Sequence, residues 1–161
     1  MDERHELEQF FFDSPTCVAL ADALSAFPNT CCLCAPFLAE ELHRRGRRVT
    51  LLDVDDRFSD RPYCHHYDIY RPVYLAQDFD VVVCDPPFFN VKLGQLFTAI
   101  RMLVHFDYQK PILIAFLIRR AHAILGTFTP FVLQPTGYRP GYITLQHPDI
   151  EFYSNFGFKC S

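Results

Sequence analysis

The run Phe79-Asp80-Val81-Val82-Val83-Cys84, closed by Asp85-Pro86-Pro87-Phe88, constrains this chain more than any other stretch. Three consecutive valines favour a pleated strand, and the run is too short for a helix. Apolar from Val81 to Cys84, it belongs in the middle of a sheet covered on both faces. Two prolines then end it, because neither has an amide proton to give to a ladder. Asp85, the Pro86 carbonyl and the ring of Phe88 are left at the carboxyl end of a central strand, which is where open α/β sheets bind ligands.

Those groups suit a planar substrate that carries an amine. Asp85 and the Pro86 carbonyl are two acceptors for the amine protons, and holding those protons directs the nitrogen lone pair at an incoming electrophile. Phe88, backed by Phe89, offers a stacking surface worth about 1–3 kcal/mol for a base. An Asp-Pro-Pro sequence also makes an ordinary strand-ending turn, so the residues alone leave both readings open. The segment resembles the Asp-Pro-Pro-aromatic motif of amino-methyltransferases that use S-adenosylmethionine (SAM).

The remaining chain is read around this strand. Its 161 residues, half of them hydrophobic and 16% aromatic, fit one domain, 1–161, with a single core and a frayed polar segment at 1–8. A net charge of −4 speaks against a general nucleic-acid coat and permits local basic patches. The longest apolar run, 112–118, is far short of a membrane span, and the charged start lacks an apolar signal segment. Seven cysteines, an odd number and several within apolar runs, fit reduced thiols in the cytoplasm, with the nucleus as the alternative.

Asp13 or Ser14 can cap a helix with Pro15 at its first position, running to about Ala26. Thr30 to Ala35 predicts a buried strand. Pro36 opens a second helix that Gly46 ends. Strands are expected at 49–54, 63–67 and 79–84, a helix at about 91–104, and a strong buried strand at 111–118. A short helix from Arg119 stops at Gly126. Phe128 to Leu133, with Pro130, reads as an edge strand. Residues 134–148 read as a long loop, and 149–156 as a last strand. Alternating strands and helices predict a Rossmann-like α/β fold with a mostly parallel seven-stranded sheet and an antiparallel C-terminal edge strand.

Several segments occur in one family's order: Gln9-Phe10-Phe11-Phe12-Asp13, Leu51-Leu52-Asp53-Val54-Asp55-Asp56-Arg57-Phe58, Tyr63-Cys64-His65-His66-Tyr67-Asp68, Asp85-Pro86-Pro87-Phe88 and Ile150-Glu151-Phe152-Tyr153-Ser154-Asn155. The chain resembles, over about 9–156, the eukaryotic N6-adenine-methyltransferase-like family marked by Asp-Pro-Pro-Phe. That family includes a zinc-knuckle enzyme methylating adenine in ribosomal RNA and an enzyme methylating a lysine of a translation elongation factor. The zinc modules are absent here.

The resemblance implies SAM as cofactor and Asp85, Pro86, Pro87 and Phe88 as catalytic. It implies Asp53 at the SAM ribose, with Asp55 as the alternative, and Asp68 near the cofactor adenine. Asp53 and Asp68 could instead each cap a turn. The turn Cys34-Ala35-Pro36 stands where most methyltransferases carry glycines for close backbone approach. Phe11, with Phe10 and Phe12, either covers the cofactor or anchors the first helix.

No metal is expected: Cys31, Cys32 and Cys34 are strand neighbours pointing to opposite faces, and Cys64-His65-His66 has the same problem. The basic run 43–48 reads as a solvated helix end, and Arg119 and Arg120 as the better candidates for phosphate contact. The expected target is an exocyclic adenine amine in RNA or DNA. A translation-factor lysine is the alternative, and a non-catalytic relative that has lost SAM the third reading. No membrane partner is expected.

Overall fold

The computed structural model describes residues 1–160. Seven strands form one sheet: β1 (Asn29–Leu33), β2 (Arg48–Asp53), β3 (Cys64–His66), β4 (Val81–Cys84), β5 (Ile112–Leu117), β6 (Gln134–Pro135) and β7 (Ile150–Ser154). Their order across the sheet is β3-β2-β1-β4-β5-β7-β6. β1 pairs in parallel with β2 and β4, and the first five strands are parallel throughout. β7 runs antiparallel to β5. The Rossmann-like sheet expected from the alternating pattern is present.

The helices are α1 (Ser14–Ala23), α2 (Pro36–Arg44), α3 (Leu93–Leu103) and α4 (Ala121–Thr127). Asp13 caps α1 by accepting from the Thr16 amide at 2.9 Å. Gly46 follows α2 at φ 74°, the left-handed conformation that favours glycine. α1 packs on α2 and α2 on β1 and β2, while α3 and α4 pack together near β5. Every residue of β1, β4 and β5 is buried. This matches the apolar runs, because strands covered on both faces lose the in-out alternation.

Three expectations are corrected. Residues 128–133 form a 3-10 turn at Thr129–Phe131 rather than a strand; Pro130 fixes a helical φ and cannot donate to a ladder, and the edge strand β6 is displaced into the expected loop. β7 is therefore not the sheet edge, since β6 covers it. Gly126 lies inside α4 rather than ending it.

Residues 1–8, expected to be frayed, hold a 3-10 turn at His5–Leu7. Side-chain bonds tie this segment to the region after β2. The Arg4 guanidinium meets Asp56 at 3.0 Å, and the Gln9 amide nitrogen donates to Asp55 Oδ2 at 2.7 Å.

Candidate active site

β1 leads one way to β2 and, in the sheet order, stands next to β4 on its other side. The change of direction opens a crevice above the carboxyl ends of β1 and β4. A cavity of about 320 Å³ lies there, at the lower end of the roughly 300–1,000 Å³ usual for small-ligand pockets. Of the residues singled out from sequence, it is lined by Asp85, Pro86, Pro87, Phe88, Asp53, Asp68, Cys34, Pro36 and Phe11. Ala35 and Asp55 do not line it.

Each position has a local cause. The Asp85 amide still donates to Leu33 O at 3.1 Å, continuing the β1–β4 ladder by one rung. The two prolines then end the ladder, and a turn closes with Asn90 and Val91 donating to Pro87 O. Asp85 is only 8% exposed. Burial raises its carboxyl well above the usual carboxylate range, and the charges of Asp53 and Glu3 add to this. A hydrogen bond from the Tyr142 hydroxyl opposes them.

Asp53 closes β2. Its Oδ1 accepts the Asp55 amide at 2.9 Å. Burial pushes its carboxyl up to about 6. Asp55, two residues on, is held differently. Burial would raise it, but Arg57 and Gln9 outweigh that and hold it near 2. Arg57 Nη2 donates to Asp55 Oδ2 at 2.7 Å and to Gln9 Oε1 at 3.0 Å, and Arg4 lies 3.5 Å from Asp55 Oδ1. Asp55 thus anchors the N-terminal segment and has no open face for a ribose.

Asp68 does two things at once: it lines the cavity and caps its own turn, accepting from the Tyr70 amide at 2.9 Å. Cys34 makes the first turn with φ 60°, a left-handed conformation that costs a residue with a Cβ on the order of 1 kcal/mol. The chain therefore takes the turn that glycine usually makes without using glycine. Pro36 follows at the first position of α2.

Phe88 does not present the bare face expected of it. It is 2% exposed, and Phe10 lies stacked on it with centroids 5.9 Å apart and planes 16° apart. Phe89, half-exposed, meets Phe10 edge-on. Phe11 stacks on Phe37 at 4.4 Å and reaches the cavity, so it both anchors and lines.

Arg119 and Arg120 lie outside the cavity lining. Arg119 pairs with Asp149 at 3.4 Å, and Arg120 lies over the Phe116 ring. The basic run sits where β2 begins, at the opposite end of the sheet from the cavity. Among the described residues, no three His, Cys, Asp or Glu side chains are grouped to hold a metal, and no helix is long and apolar enough to cross a membrane.

Sequence reasoning missed Tyr142, whose hydroxyl donates to Asp85 Oδ1 at 2.8 Å. It also missed Glu6, Glu8 and Tyr70 in the cavity wall. Tyr142 sits in a stretch read as loop. Its only signal was the short β-prone tetrad Tyr142-Ile143-Thr144-Leu145 after Gly141.

The same architecture occurs in solved structures. A branched-chain polyamine synthase mutein from Thermus thermophilus, solved with N4-aminopropylspermidine and 5′-methylthioadenosine, is similar with a TM-score of 0.66 and 13% identity. The match covers 96% of this chain and 58% of that one, so the chain spans little more than half of that protein's length. A TehB-like SAM-dependent methyltransferase from Corynebacterium glutamicum is similar with a TM-score of 0.61 and 14% identity, over 89% of this chain and 88% of that one. The magnesium protoporphyrin IX methyltransferase of Synechocystis, solved with bound SAM, has a TM-score of 0.55 and 14% identity, over 87% of this chain and 77% of that one.

At these identities the likeness is one of fold, and the fold is the Rossmann-like sheet of the SAM-dependent methyltransferases. No curated protein matches the chain in sequence. Residues 3–158 match the family described as probable N6-adenine methyltransferase, and the chain belongs to that family.

Proposed function

We propose that the chain is a SAM-dependent methyltransferase acting on the exocyclic amine of adenine in RNA or DNA. The observation that carries this reading is Asp85: a buried carboxylate at the end of a central strand, pinned by one oxygen and lining the cavity.

The cavity suits SAM. Its wall carries Glu6, Glu8, Asp53, Asp68 and Asp85 and no lysine, arginine or histidine. SAM carries a sulfonium, an ammonium and one carboxylate, so its net charge is positive and the wall is complementary to it. Asp53 has one oxygen committed to a backbone amide, and the carboxylate can accept from a ribose diol with the other. Asp68 and the neighbouring Ile69 and Tyr70 would border the cofactor's adenine. When bound, SAM supplies an electrophilic methyl group.

The chain's own residues prepare the acceptor. Asp85 and the Pro86 carbonyl take hydrogen bonds from the amine, which localises its lone pair on nitrogen. An adenine amine is neutral, and its weakness as a nucleophile is delocalisation into the ring, which these acceptors counter. Phe10, lying on Phe88, and the half-exposed Phe89 supply the apolar surface for the base. In a structured nucleic acid the base must also leave its stack, at a few kcal/mol.

A second reading, a protein lysine, has two observations in its favour. The cavity wall is acidic, the basic run lies at the far end of the sheet, and neither arrangement favours phosphate near the mouth. Against it, a carboxylate beside a lysine favours the charged, non-nucleophilic form. The deciding experiment incubates the protein with methyl-labelled SAM and cell extract, then separates RNA, DNA and protein. Label in nucleic acid is expected; label in protein alone overturns the adenine assignment.

A further inference from the structure

We propose that Tyr142 is a positioning residue for the transfer: it holds the Asp85 carboxylate by Oδ1 so that Oδ2 faces the acceptor amine. This rests on the reading of Asp85 as the amine's acceptor.

The contact joins two buried groups far apart in sequence. Tyr142 is 6% exposed and Asp85 8%, and the O–H···O distance is 2.8 Å. Among the described residues no other side-chain donor meets Asp85, so this single bond selects its orientation. A carboxylate freed from it could turn about its Cβ–Cγ bond, a broad torsion with no strong preference.

The tyrosine itself is fixed on every side. Its ring packs on Phe12 at 5.3 Å and edge-on against Phe88 at 5.9 Å. Its backbone forms a bridge with Phe12. The flanking residues are pinned as well: Gly141 N donates to Thr16 Oγ1 at 2.8 Å, Asp13 N to Gly141 O at 3.0 Å, and Ile143 N to Phe11 O at 2.9 Å. A hydroxyl on a ring held this firmly is a fixed donor.

A purely space-filling residue here would need no hydroxyl, because phenylalanine would fill the same volume without a polar atom to satisfy. The hydroxyl also bears on charge. Burial, Asp53 on β2 and Glu3 of the N-terminal segment all favour protonated Asp85, and the Tyr142 bond favours the carboxylate. The other titratable neighbours, Cys17, Cys34 and Cys84, have thiols that burial keeps neutral. Among the described residues, with no cation in the cavity wall, the Tyr142 hydroxyl is the side chain that opposes protonation of Asp85.

The test is Tyr142→Phe, read in two independent ways. In the free protein, carbon-13 NMR follows the Asp85 carboxyl through a pH titration. The midpoint is expected to rise in the variant, and an unchanged midpoint overturns the proposal. In the labelled-SAM assay, transfer into the fraction that the wild type labels is expected to fall at least tenfold at pH 7. SAM affinity by calorimetry should stay within twofold, and the acidic limb of the rate profile should move to higher pH. Unchanged turnover, or a loss confined to SAM affinity, also overturns it.

Adding Tyr142→Phe to Asp85→Ala should cost nothing further; independent, additive losses refute action through Asp85. If Tyr142→Phe does not fold, a ring-fluorinated tyrosine at position 142, of similar shape and a stronger donor, is expected to lower the Asp85 midpoint, and no shift refutes the link. A wild-type protein that labels neither nucleic acid nor protein would refute the transfer reading instead, while the NMR titration still decides whether Tyr142 governs Asp85.

Discussion

Asp53 closes β2 and Asp55 stands two residues on, just before the 3-10 turn at Asp56–Phe58, yet the structure gives them opposite lives. Asp53 faces a cavity without a cation, and its carboxyl is raised to about 6. Asp55 turns into a knot of Arg4, Gln9 and Arg57 and is lowered to about 2. Both are buried. Burial alone therefore does not separate a carboxylate that faces a cavity from one that ties the chain together. The difference lies in what stands opposite: a buried acid without a partner is destabilising until a ligand meets it, while a paired one secures the chain around it.

The largest expected effect tests the cavity side, where Asp85 stands with Asp53. Asp85→Ala should reduce methyl transfer at least 100-fold, about 2.7 kcal/mol in the barrier, while SAM binding by calorimetry persists. Equal loss of SAM affinity would place Asp85 with the cofactor rather than the amine. Asp55→Ala probes the paired side. Because Arg4 and Arg57 stay partly exposed, the cost in urea unfolding should lie below that of a fully buried pair, roughly 2 kcal/mol, with the N-terminal segment loosened. A variant as stable as the wild type would show the knot to be incidental.

Asp53→Ala should weaken SAM binding at least tenfold, about 1.4 kcal/mol, the worth of one charge-assisted hydrogen bond. Unchanged affinity in a folded variant removes the ribose role.

The smallest effect is on stability against pH, and its sign differs between the two acids. Asp53 binds its proton more tightly folded than at its ordinary 3.8, so its contribution is fully present below that value and is lost as pH rises through about 6. Asp55 binds its proton less tightly folded, so its contribution is present above 3.8 and is lost as pH falls through about 2. Asp53→Asn should accordingly gain on the order of 1 kcal/mol at pH 8 and nothing at pH 3. A gain that does not depend on pH would mean the effect is packing.

The sequence made β1, β2, β4 and β5 legible because they are largely apolar runs, with an acid closing β2 and another directly after β4. Asp85-Pro86-Pro87-Phe88 was legible because two prolines leave few alternatives. What stayed hidden depends on contacts across long separations. Nothing local distinguishes Asp53 from Asp55, since the arginine that claims Asp55 is near both, and Arg4 and Gln9 come from more than 40 residues away. Tyr142 was hidden for the same reason, being 57 residues from the acid it meets. β6 was misplaced because two residues carry no period, and Pro130 made a helical turn where strand-like neighbours suggested an edge.

The stitching of residues 3–16 to residues 141–144 also has a consequence for how the molecule comes to be. The Thr16–Gly141 bond spans 125 residues, and the Thr144 hydroxyl donates to Glu3 across 141. As the chain leaves a ribosome, residues 3–16 emerge well before residues 141–144 and must wait for them. Closing so long a loop is slow relative to pairing β1 with β2, because loop entropy must be overcome before the contacts form. The sheet can assemble first, and the cavity above the carboxyl ends of β1 and β4 is then among the last parts to take shape. Until it does, Phe10, Phe11 and Phe12 are uncovered apolar surface, and the nascent protein has a period in which it is foldable and sticky.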